Sequence, residues 1–386
     1  MLDDILFSRP FRSPGELENL AAVLRSDHAH GDGAFTASAS ARLTGMLGAR
    51  AALLTTSCTH ALELAALLLE LEAGDEVVMP SFTFPSAATA VVQRGAVPVF
   101  VDLDEGTGNL DPAEFAAAIT PRTKAVTVMH YGGVPVDLAA VEAIAAEAGI
   151  AVVEDNAHGL GGRTLDGRML GTVGVFGTQS FHDTKNVHSG EGGALIVNDE
   201  RYLERAEILR EKGTNRARFL RGEIDKYTWQ DQGSSYLPSE LNAAVLDAQL
   251  AAFDEIQANR LRVWSGYAAG LAQWASENGV RLMSDDPALL HTSHLFWLQL
   301  PSEAAREGLL AHLRALGIRA AFHYVPLDSS PAGRRFGRTA GTGPAAAPLE
   351  RTARFAGRLV RLPLWASLTD PEVERVVAAV RSYTPA

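Results

Sequence analysis

Short apolar runs rich in β-branched residues alternate with Ala- and Leu-rich segments between about residues 50 and 200. Such an alternation of buried-type strands with segments of helical spacing predicts a mainly parallel sheet covered by helices on both faces. Several of the strands end in polar residues, which is where ligands bind in open α/β sheets. The predicted strands span 75–80, 97–104, 123–131, 150–158 and 192–199.

The pattern changes in the last third of the chain, where a long helical stretch is followed by shorter strand and helix patterns. This change predicts a second, smaller α+β domain. We therefore expect residues 1–250 to form a large domain with an N-terminal arm, and residues 251–386 to form the small C-terminal domain. The Ala-, Gly- and Pro-rich segment 331–348 is predicted to be a mobile loop.

Composition narrows the class of protein. The chain has 386 residues, 47% apolar and 21% charged, which is typical of a globular protein with more than one small core. Its apolar stretches are interrupted by Glu, so no membrane span is predicted, and its start lacks a signal-peptide pattern. We therefore expect a cytoplasmic protein. A net charge of −12 argues against nucleic acid as a partner, but it leaves anionic small molecules open.

Asp155 and Lys185 are the two residues that indicate specific chemistry. Asp155 ends the run IAVVED, so its carboxylate should emerge at the carboxyl end of a strand. There it can hold the cationic ring nitrogen of pyridoxal phosphate (PLP), or it can simply cap the next segment. Lys185 lies in the polar, glycine-rich stretch SFHDTKNVHSGEGG. A desolvated lysine there could form a Schiff base; the alternative is an ordinary surface lysine.

A polar turn precedes the helix that follows the apolar run AALL, and it is a candidate phosphate site. Backbone N–H groups and small hydroxyls at a helix start bind phosphate. A simple N-cap is the alternative. The candidate residues are Ser57, Cys58 and Thr59 of the turn, with the Ser180 hydroxyl from the Lys185 segment.

An aromatic ring must cover one face of PLP, and the stretch PSFTF offers Phe82 and Phe84. Either could equally belong to the core. His158 lies three residues beyond Asp155 and could reach the ring hydroxyl of the cofactor, although a lone histidine is more often structural.

In order and spacing, these motifs resemble the DegT-type family of PLP-dependent sugar aminotransferases, from GDGAFT (31–36) to RLPLW near the end of the chain. The resemblance implies the fold type I aminotransferase architecture and a homodimer with shared active sites. It also implies roles for individual residues: Lys185 as the Schiff-base lysine, Asp155 on the pyridine nitrogen, Phe84 on the ring face, His158 near the ring hydroxyl, and Cys58, Thr59 and Ser180 on the phosphate.

Two further stretches, 210–237 and 322–333, resemble the branch that aminates C4 of dTDP-4-dehydro-6-deoxyglucose. The typical family pattern has Asn at the position of Ser235, reaching the phosphate across the dimer, and Arg at that of Leu237. This sequence departs at both positions, as that branch does with its GSSYL motif. Ser235 is thus left as a weaker hydroxyl candidate for the cross-subunit phosphate contact.

The resemblance implies a dTDP-linked keto-sugar as acceptor, an amino acid, by family likeness glutamate, as donor, and no metal. Amination at C3, or of another nucleotide sugar, is the main alternative. A non-catalytic PLP-binding regulator is disfavoured, because it would not need both Lys185 and Asp155; dehydratases of the family carry histidine in place of the lysine. Candidate substrate residues are Asp32, Phe35, Lys226, Tyr227, Trp229, His323 and Tyr324.

Overall fold

The larger sheet of the computed structural model, which describes residues 4–284, 286, 290–340 and 349–385, has eight strands in the order β1-β7-β6-β5-β4-β2-β3-β10. Strand β7 is antiparallel to both neighbours, and the other pairs run parallel. The strands are β1 (Ala51–Thr55), β2 (Glu76–Pro80), β3 (Val97–Val101), β4 (Thr123–Met129), β5 (Ala151–Asp155), β6 (Phe176–Ser180), β7 (Gly193–Val197) and β10 (Arg338–Thr339).

Helices connect and cover these strands. Several helices begin after a serine whose side chain accepts a hydrogen bond from an N–H group of the first turn. Ser57, Ser239 and Ser302 are examples. The first nine are α1 (Glu16–Arg25), α2 (Ala34–Leu47), α3 (Cys58–Leu68), α4 (Pro85–Val92), α5 (Pro112–Ala118), α6 (Leu138–Ala148), α7 (Leu203–Arg210), α8 (Arg216–Leu220) and α9 (Glu240–Ala251).

A second, three-stranded antiparallel sheet has the order β11-β9-β8. Its strands are β8 (Arg281–Leu282), β9 (Phe296–Gln299) and β11 (Leu359–Leu362). The remaining helices are α10 (Phe253–Glu277), α11 (Glu303–Ala315), α12 (Pro331–Phe336), α13 (Glu350–Arg358) and α14 (Asp370–Arg381). No described helix is both long enough and apolar enough to cross a membrane. The predicted α/β architecture is confirmed; the division at residue 250 stays a prediction.

The predicted loop over 331–348 is wrong in its first part. Pro331–Phe336 forms α12, capped by the Ser330 hydroxyl, and Arg338–Thr339 pairs with β3 as the edge strand of the large sheet. Gly and Pro usually indicate a loop, but these short elements form because of contacts with distant parts of the chain, which composition does not show. Residues 341–348 lie outside the described part of the structure.

The directions of the strands bring the ends of several strands to one edge of the large sheet. Because β4, β5 and β6 are parallel, the ends of these strands, including Asp155 and Ser180, lie along the same edge. Strand β1 is antiparallel to β7, and β7 to β6, so Thr55 at the end of β1 reaches this edge too. The antiparallel β7 begins there, and its first residue, Gly193, lies opposite both Thr55 and Ser180.

Glu76, a buried residue at the start of β2, links three segments at the opposite edge. Its carboxylate accepts hydrogen bonds from Arg122 (2.5 and 3.0 Å), Thr120 (2.6 Å) and Arg338 of β10 (2.8 and 3.2 Å). Burial alone would raise the pKa of Glu76, but the hydrogen bonds from Arg338, Thr120 and Arg122 outweigh it and lower the pKa to about 2.

We expect Glu76→Gln to lower the free energy of unfolding by about 1–3 kcal/mol at pH 7, because it weakens charge-assisted hydrogen bonds in a buried setting. Since the folded-state pKa lies below that of a free glutamate, this stabilisation is present above about pH 5 and is lost as the pH falls toward 2. Thermal unfolding midpoints of the two proteins should therefore converge in acid. Glu18→Gln, on the exposed side of α1, is the control; a Glu76 effect independent of pH would contradict the prediction.

Candidate active site

A cavity of about 650 Å³ opens at the edge of the large sheet where the strand ends meet. Residues of the large sheet line one side, and residues before β9 and on β11 of the small sheet line the other. Most of the residues predicted for the cofactor site face it: Ser57, Cys58, Thr59, Phe84, Asp155, His158, Ser180 and Lys185. Their individual roles stay predictions, but the sequence motifs that suggested them do come together in space.

Lys185 lies in a turn after β6, where its N–H donates to the carbonyl oxygen of His182 (2.9 Å). Within the described part of the chain, no side chain forms a hydrogen bond or ion pair with its Nζ. Burial lowers the pKa of Lys185 to about 8, although the nearby Asp155 carboxylate opposes the shift. A larger fraction of free amine at neutral pH suits a Schiff-base lysine or a general base.

Asp155 ends β5 and is buried. Among the described residues its carboxylate accepts one hydrogen bond, from the N–H of Ala157 (3.2 Å). Burial raises its pKa, and the Ala157 N–H and the Lys185 charge only partly oppose this. A buried carboxylate with spare acceptor capacity is stabilised by a further cation or donor, and a protonated ring nitrogen would supply both.

The turn before α3 gathers small polar groups. Ser57 caps the helix by accepting from the N–H of His60 (3.1 Å), and the first-turn N–H groups have no partners inside a helix. Gly193 packs directly against this turn: a Cβ there would lie 2.3 Å from the carbonyl carbon of Ser57 and 2.4 Å from the nitrogen of Cys58. With Ser180 opposite Gly193, the arrangement fits a phosphate at the helix start.

Cys58 itself is a thiol. Its Sγ lies 3.5 Å from Oγ1 of Thr178. Burial, with Asp155 nearby, raises the pKa of the thiol well above its ordinary value. It is therefore unsuited to nucleophilic chemistry.

The two aromatic candidates, Phe84 and Phe82, differ in how exposed they are. Phe84 immediately precedes α4, is 54% exposed and lines the cavity, so it is available to cover a ring. Phe82 is 1% exposed and packs edge-on against Tyr131 and Phe355, with ring centroids 5.1 and 5.2 Å apart. For Phe82, the core is the correct interpretation.

His158 belongs to a cluster of neutral rings on the wall of the cavity. Its Nδ1 accepts from the N–H of Gly132 (3.3 Å), which leaves the proton on Nε2, 3.3 Å from the Tyr324 hydroxyl. Its ring stacks on His294 at 4.1 Å. Burial, with the Lys185 charge, holds the pKa of both histidines well below the ordinary value.

Two of the predicted substrate residues line the same cavity, namely His323 and Tyr324. Their rings stack at 3.7 Å, and Nδ1 of His323 lies 2.7 Å from the hydroxyl of the buried Tyr131. Burial lowers the pKa of His323 and raises that of Tyr324, so both are neutral near pH 7. They can recognise a substrate by hydrogen bonding and stacking but not by charge.

Asp32 and Phe35 do not line this cavity. Asp32 forms an ion pair with the buried Arg210 (2.6 Å). The backbone N–H of Phe35, at the start of α2, donates to Glu240 of α9 (2.7 Å). In a single chain, the GDGAFT segment thus anchors α2 against α9.

A second cavity of about 530 Å³ contains other predicted residues. Ser235 and Tyr227 line it, together with Lys212, Arg216 and the His30–Gly31 segment. Lys226 and Trp229 lie in the same exposed, non-helical stretch, and Trp229 is 80% exposed. The single chain therefore places predicted site residues in two cavities, while Asp32, Phe35, Lys226 and Trp229 line neither of them.

Sequence reasoning missed two residues that line the Lys185 cavity, His294 and Arg361. Nδ1 of His294 lies 2.8 Å from Oδ1 of Asn186, whose Nδ2 donates to Gln257 and to the carbonyl oxygen of Thr292. Nδ1 of His294 must therefore carry the proton, and its Nε2 is an acceptor. The polar residue before an apolar strand, and the arginine within LVRLPL, were the available signals.

The residues of the cavity fit PLP on three separate observations: the free amine of Lys185, the under-satisfied carboxylate of Asp155, and the Gly193 contact that shapes the turn before α3. Across the described residues, no group of three or more His, Cys, Asp or Glu side chains is arranged to hold a metal ion.

Comparison with known proteins gives the family. Residues 12–381 match the model of the DegT/DnrJ/EryC1/StrS aminotransferase family. The chain is 34% identical over 347 residues (87% of this chain, 86% of the relative) to the spore coat polysaccharide biosynthesis protein SpsC of Bacillus subtilis. It is also 34% identical over 325 residues (84% and 80%) to the dTDP-3-amino-3,4,6-trideoxy-alpha-D-glucose transaminase of Streptomyces venezuelae.

Among solved structures, the aminotransferase TlmJ of Streptoalloteichus hindustanus matches with a TM-score of 0.88 and 31% identity, covering 98% of each chain. The predicted fold type I architecture is thus confirmed, and so is PLP, the cofactor of this family's aminotransferases. The closer likeness to 4-aminating enzymes is not established, because the Streptomyces venezuelae relative is named for a 3-amino sugar. The chain belongs to the DegT/DnrJ/EryC1/StrS family of PLP-dependent sugar aminotransferases.

Proposed function

We propose that this enzyme transfers an amino group from an amino acid, L-glutamate, to C4 of dTDP-4-dehydro-6-deoxy-D-glucose, giving a dTDP-4-amino-4,6-dideoxy sugar. The observation that carries the transamination is the pairing of a free, part-neutral Lys185 with the buried Asp155 in one cavity. The choice of C4 rests on the stretches 210–237 and 322–333. The second of these supplies His323 and Tyr324 to the cavity.

Bound PLP supplies an electrophilic carbon and a ring that takes up the electron pair left when a C–H bond breaks. The Asp155 carboxylate would keep the ring nitrogen protonated, and Phe84 would cover one face of the ring. The turn of Ser57, Cys58 and Thr59, with Ser180, would hold the phosphate.

Lys185 is the proposed general base and acid. In the donor half-reaction its Nζ would take the proton from Cα of the amino acid; the amine would stay on the cofactor, and water would supply the oxygen of the 2-oxo acid that leaves. In the acceptor half-reaction, the keto oxygen of the sugar would leave as water, and Nζ would give a proton to the sugar carbon that receives the amine. A pKa near 8 suits this exchange, because the amine then loses and regains a proton at modest cost near neutral pH.

Amination at C3 is the second candidate, favoured by the 34% identity to the Streptomyces venezuelae enzyme named for a 3-amino sugar. Both reactions need the same Lys185 and Asp155, so the choice depends on how the sugar lies beside His323 and Tyr324.

We further propose a homodimer in which the second cavity completes the partner's site. Tyr227 (48% exposed) lines that cavity with Ser235, and Trp229 (80% exposed) presents a second large aromatic ring two residues farther along the chain. Exposed aromatic groups of this kind are typical of interfaces. Ser235 would then offer a hydroxyl to the partner's phosphate, and the Lys226–Trp229 stretch would contact the sugar nucleotide.

Lys185→Ala should abolish the visible absorbance of the cofactor Schiff base and both half-reactions, because no other amine lines the cavity among the described residues. Absorbance of the purified protein with added PLP measures the first effect. Lys124→Ala is the matched control: this exposed lysine of β4 lines neither cavity, so the spectrum of the variant should match that of the wild type. A Schiff base retained in Lys185→Ala would refute the assignment.

If each active site contains residues of both subunits, two variants with defects in different parts of the site should complement each other in a mixed dimer. The double variant Tyr227→Ala, Trp229→Ala should lose at least about tenfold in activity, because truncated aromatic anchors typically cost 1 kcal/mol or more each. Mixed dimers of this variant with Lys185→Ala should regain activity, since one of the two sites then has both an intact lysine and an intact loop. Mixed dimers no more active than either parent would contradict the sharing.

Incubation of the holoenzyme with L-glutamate and dTDP-4-dehydro-6-deoxyglucose should give an amino sugar whose NMR spectrum places nitrogen on C4. The isomeric 3-dehydro sugar serves as the control acceptor. Amination of the control alone would replace C4 by C3, and no product from either sugar would reject both acceptors.

A further inference from the structure

Arg361 is a cation within the Lys185 cavity that the proposed reaction has not used. It lies on β11 between the buried Val360 and Leu362. Its Nε and Nη2 donate to the carbonyl oxygen of Phe322 (3.2 and 2.9 Å), and its guanidinium lies 4.7 Å from the ring centroid of Phe7. The side chain is held on two sides, and its Nη1 has no hydrogen-bond partner among the described residues.

The charge of Arg361 has no anion of its own. No carboxylate in the described ranges lies within 4.0 Å of it, whereas the nearby Arg354 pairs with Glu105 at 2.6 Å and Arg351 with Asp111 at 2.6 Å. Burial lowers the pKa of Arg361, so its environment disfavours an isolated charge. Burying a charged guanidinium costs little free energy only when it forms an ion pair with a carboxylate or phosphate.

We propose that Arg361 binds the α-carboxylate of the amino donor. Arg361 lines the same cavity as Lys185, and its charge influences that of Lys185, His158 and His323. The anion it completes must therefore lie near the reacting carbon. In an amino acid the carboxylate is bonded directly to that carbon, whereas in the nucleotide sugar the nearest phosphate is attached through C1, across the pyranose ring from C4. This inference rests on the proposed transamination, but not on which sugar is the acceptor.

The donor half-reaction tests the proposal without any sugar. In Arg361→Met holoenzyme, we expect the L-glutamate concentration for half-maximal conversion of the cofactor spectrum to rise on the order of 10- to 100-fold, from the loss of charge-assisted hydrogen bonds. Arg361→Lys should lie between this and the wild type, because it keeps the charge but not the planar fork. Calorimetric binding of 2-oxoglutarate to the holoenzyme should weaken in the same order.

The acceptor half-reaction distinguishes binding of the donor carboxylate by Arg361 from binding of the sugar-nucleotide diphosphate. Starting from aminated enzyme, sugar turnover by Arg361→Met should stay within about twofold of the wild type. Arg281→Met is the matched control: this arginine of β8 also donates to a backbone carbonyl, that of Glu105 (2.7 Å), but lies outside the cavity. Selective loss of the acceptor half-reaction would assign Arg361 to the diphosphate and overturn the proposal. Equal loss of both with a lowered melting temperature would reduce it to a structural residue.

The proposed function fails in a different way. If wild-type enzyme is converted by another amino acid instead of glutamate, the donor identity is wrong, and the same titration with that amino acid still tests Arg361. If it is converted by glutamate but aminates no sugar, the acceptor is wrong and the Arg361 result stands.

Discussion

The contact between Gly193 and the turn before α3 fixes the dimensions of the active site. Strand β7 runs against its neighbours, so it starts where β1 and β6 end, and its first residue meets the backbone of Ser57 and Cys58 at a distance that excludes any Cβ. A side chain at Gly193 would push the helix start away from Ser180. The spacing between the turn before α3, Asp155 and Lys185 therefore depends on one glycine and on the direction of one strand.

That geometry has an electrostatic cost that the ligands can offset. Lys185, Asp155 and Arg361 are all charged groups with few partners in the described structure, and burial shifts the pKa of each toward its neutral form. The histidines around them are neutral for the same reason. A cationic ring nitrogen would form an ion pair with Asp155, and a carboxylate would form one with Arg361. Each would neutralise a buried charge that has no ion-pair partner among the described residues. Such a site favours its bound state and prepares Lys185 for proton transfer.

The sequence was most informative where neighbouring residues decide the structure. The β-branched runs predicted β2, β3, β4, β5 and β7, because buried strands need little besides apolar side chains, whereas β6 was not among the predicted strands. Asp155 stood out because it ends an apolar strand, and Lys185 because it lies in a polar, glycine-rich stretch. His294 and Arg361 were missed, since they reach the cavity only when the small sheet packs against the large one. The short strand β10 was missed for a similar reason: its pairing with β3 joins residues more than two hundred positions apart.

The division of predicted residues between two cavities also bears on specificity. In the proposed reaction, Lys185 and Arg361 would occupy the part of the site that every donor uses, so they would constrain the reaction but not the choice of sugar. Under the proposed function, discrimination between C3 and C4 would come from groups that contact the sugar ring farther out, and most of the candidates are neutral: His323, Tyr324 and, in a shared site, the partner's Tyr227 and the partner's Trp229. Neutral hydrogen bonds and stacking depend strongly on orientation, whereas charge pairing tolerates displacement. If the proposed function holds, this chain and a relative that is one third identical would perform the same proton transfer and aminate different carbons.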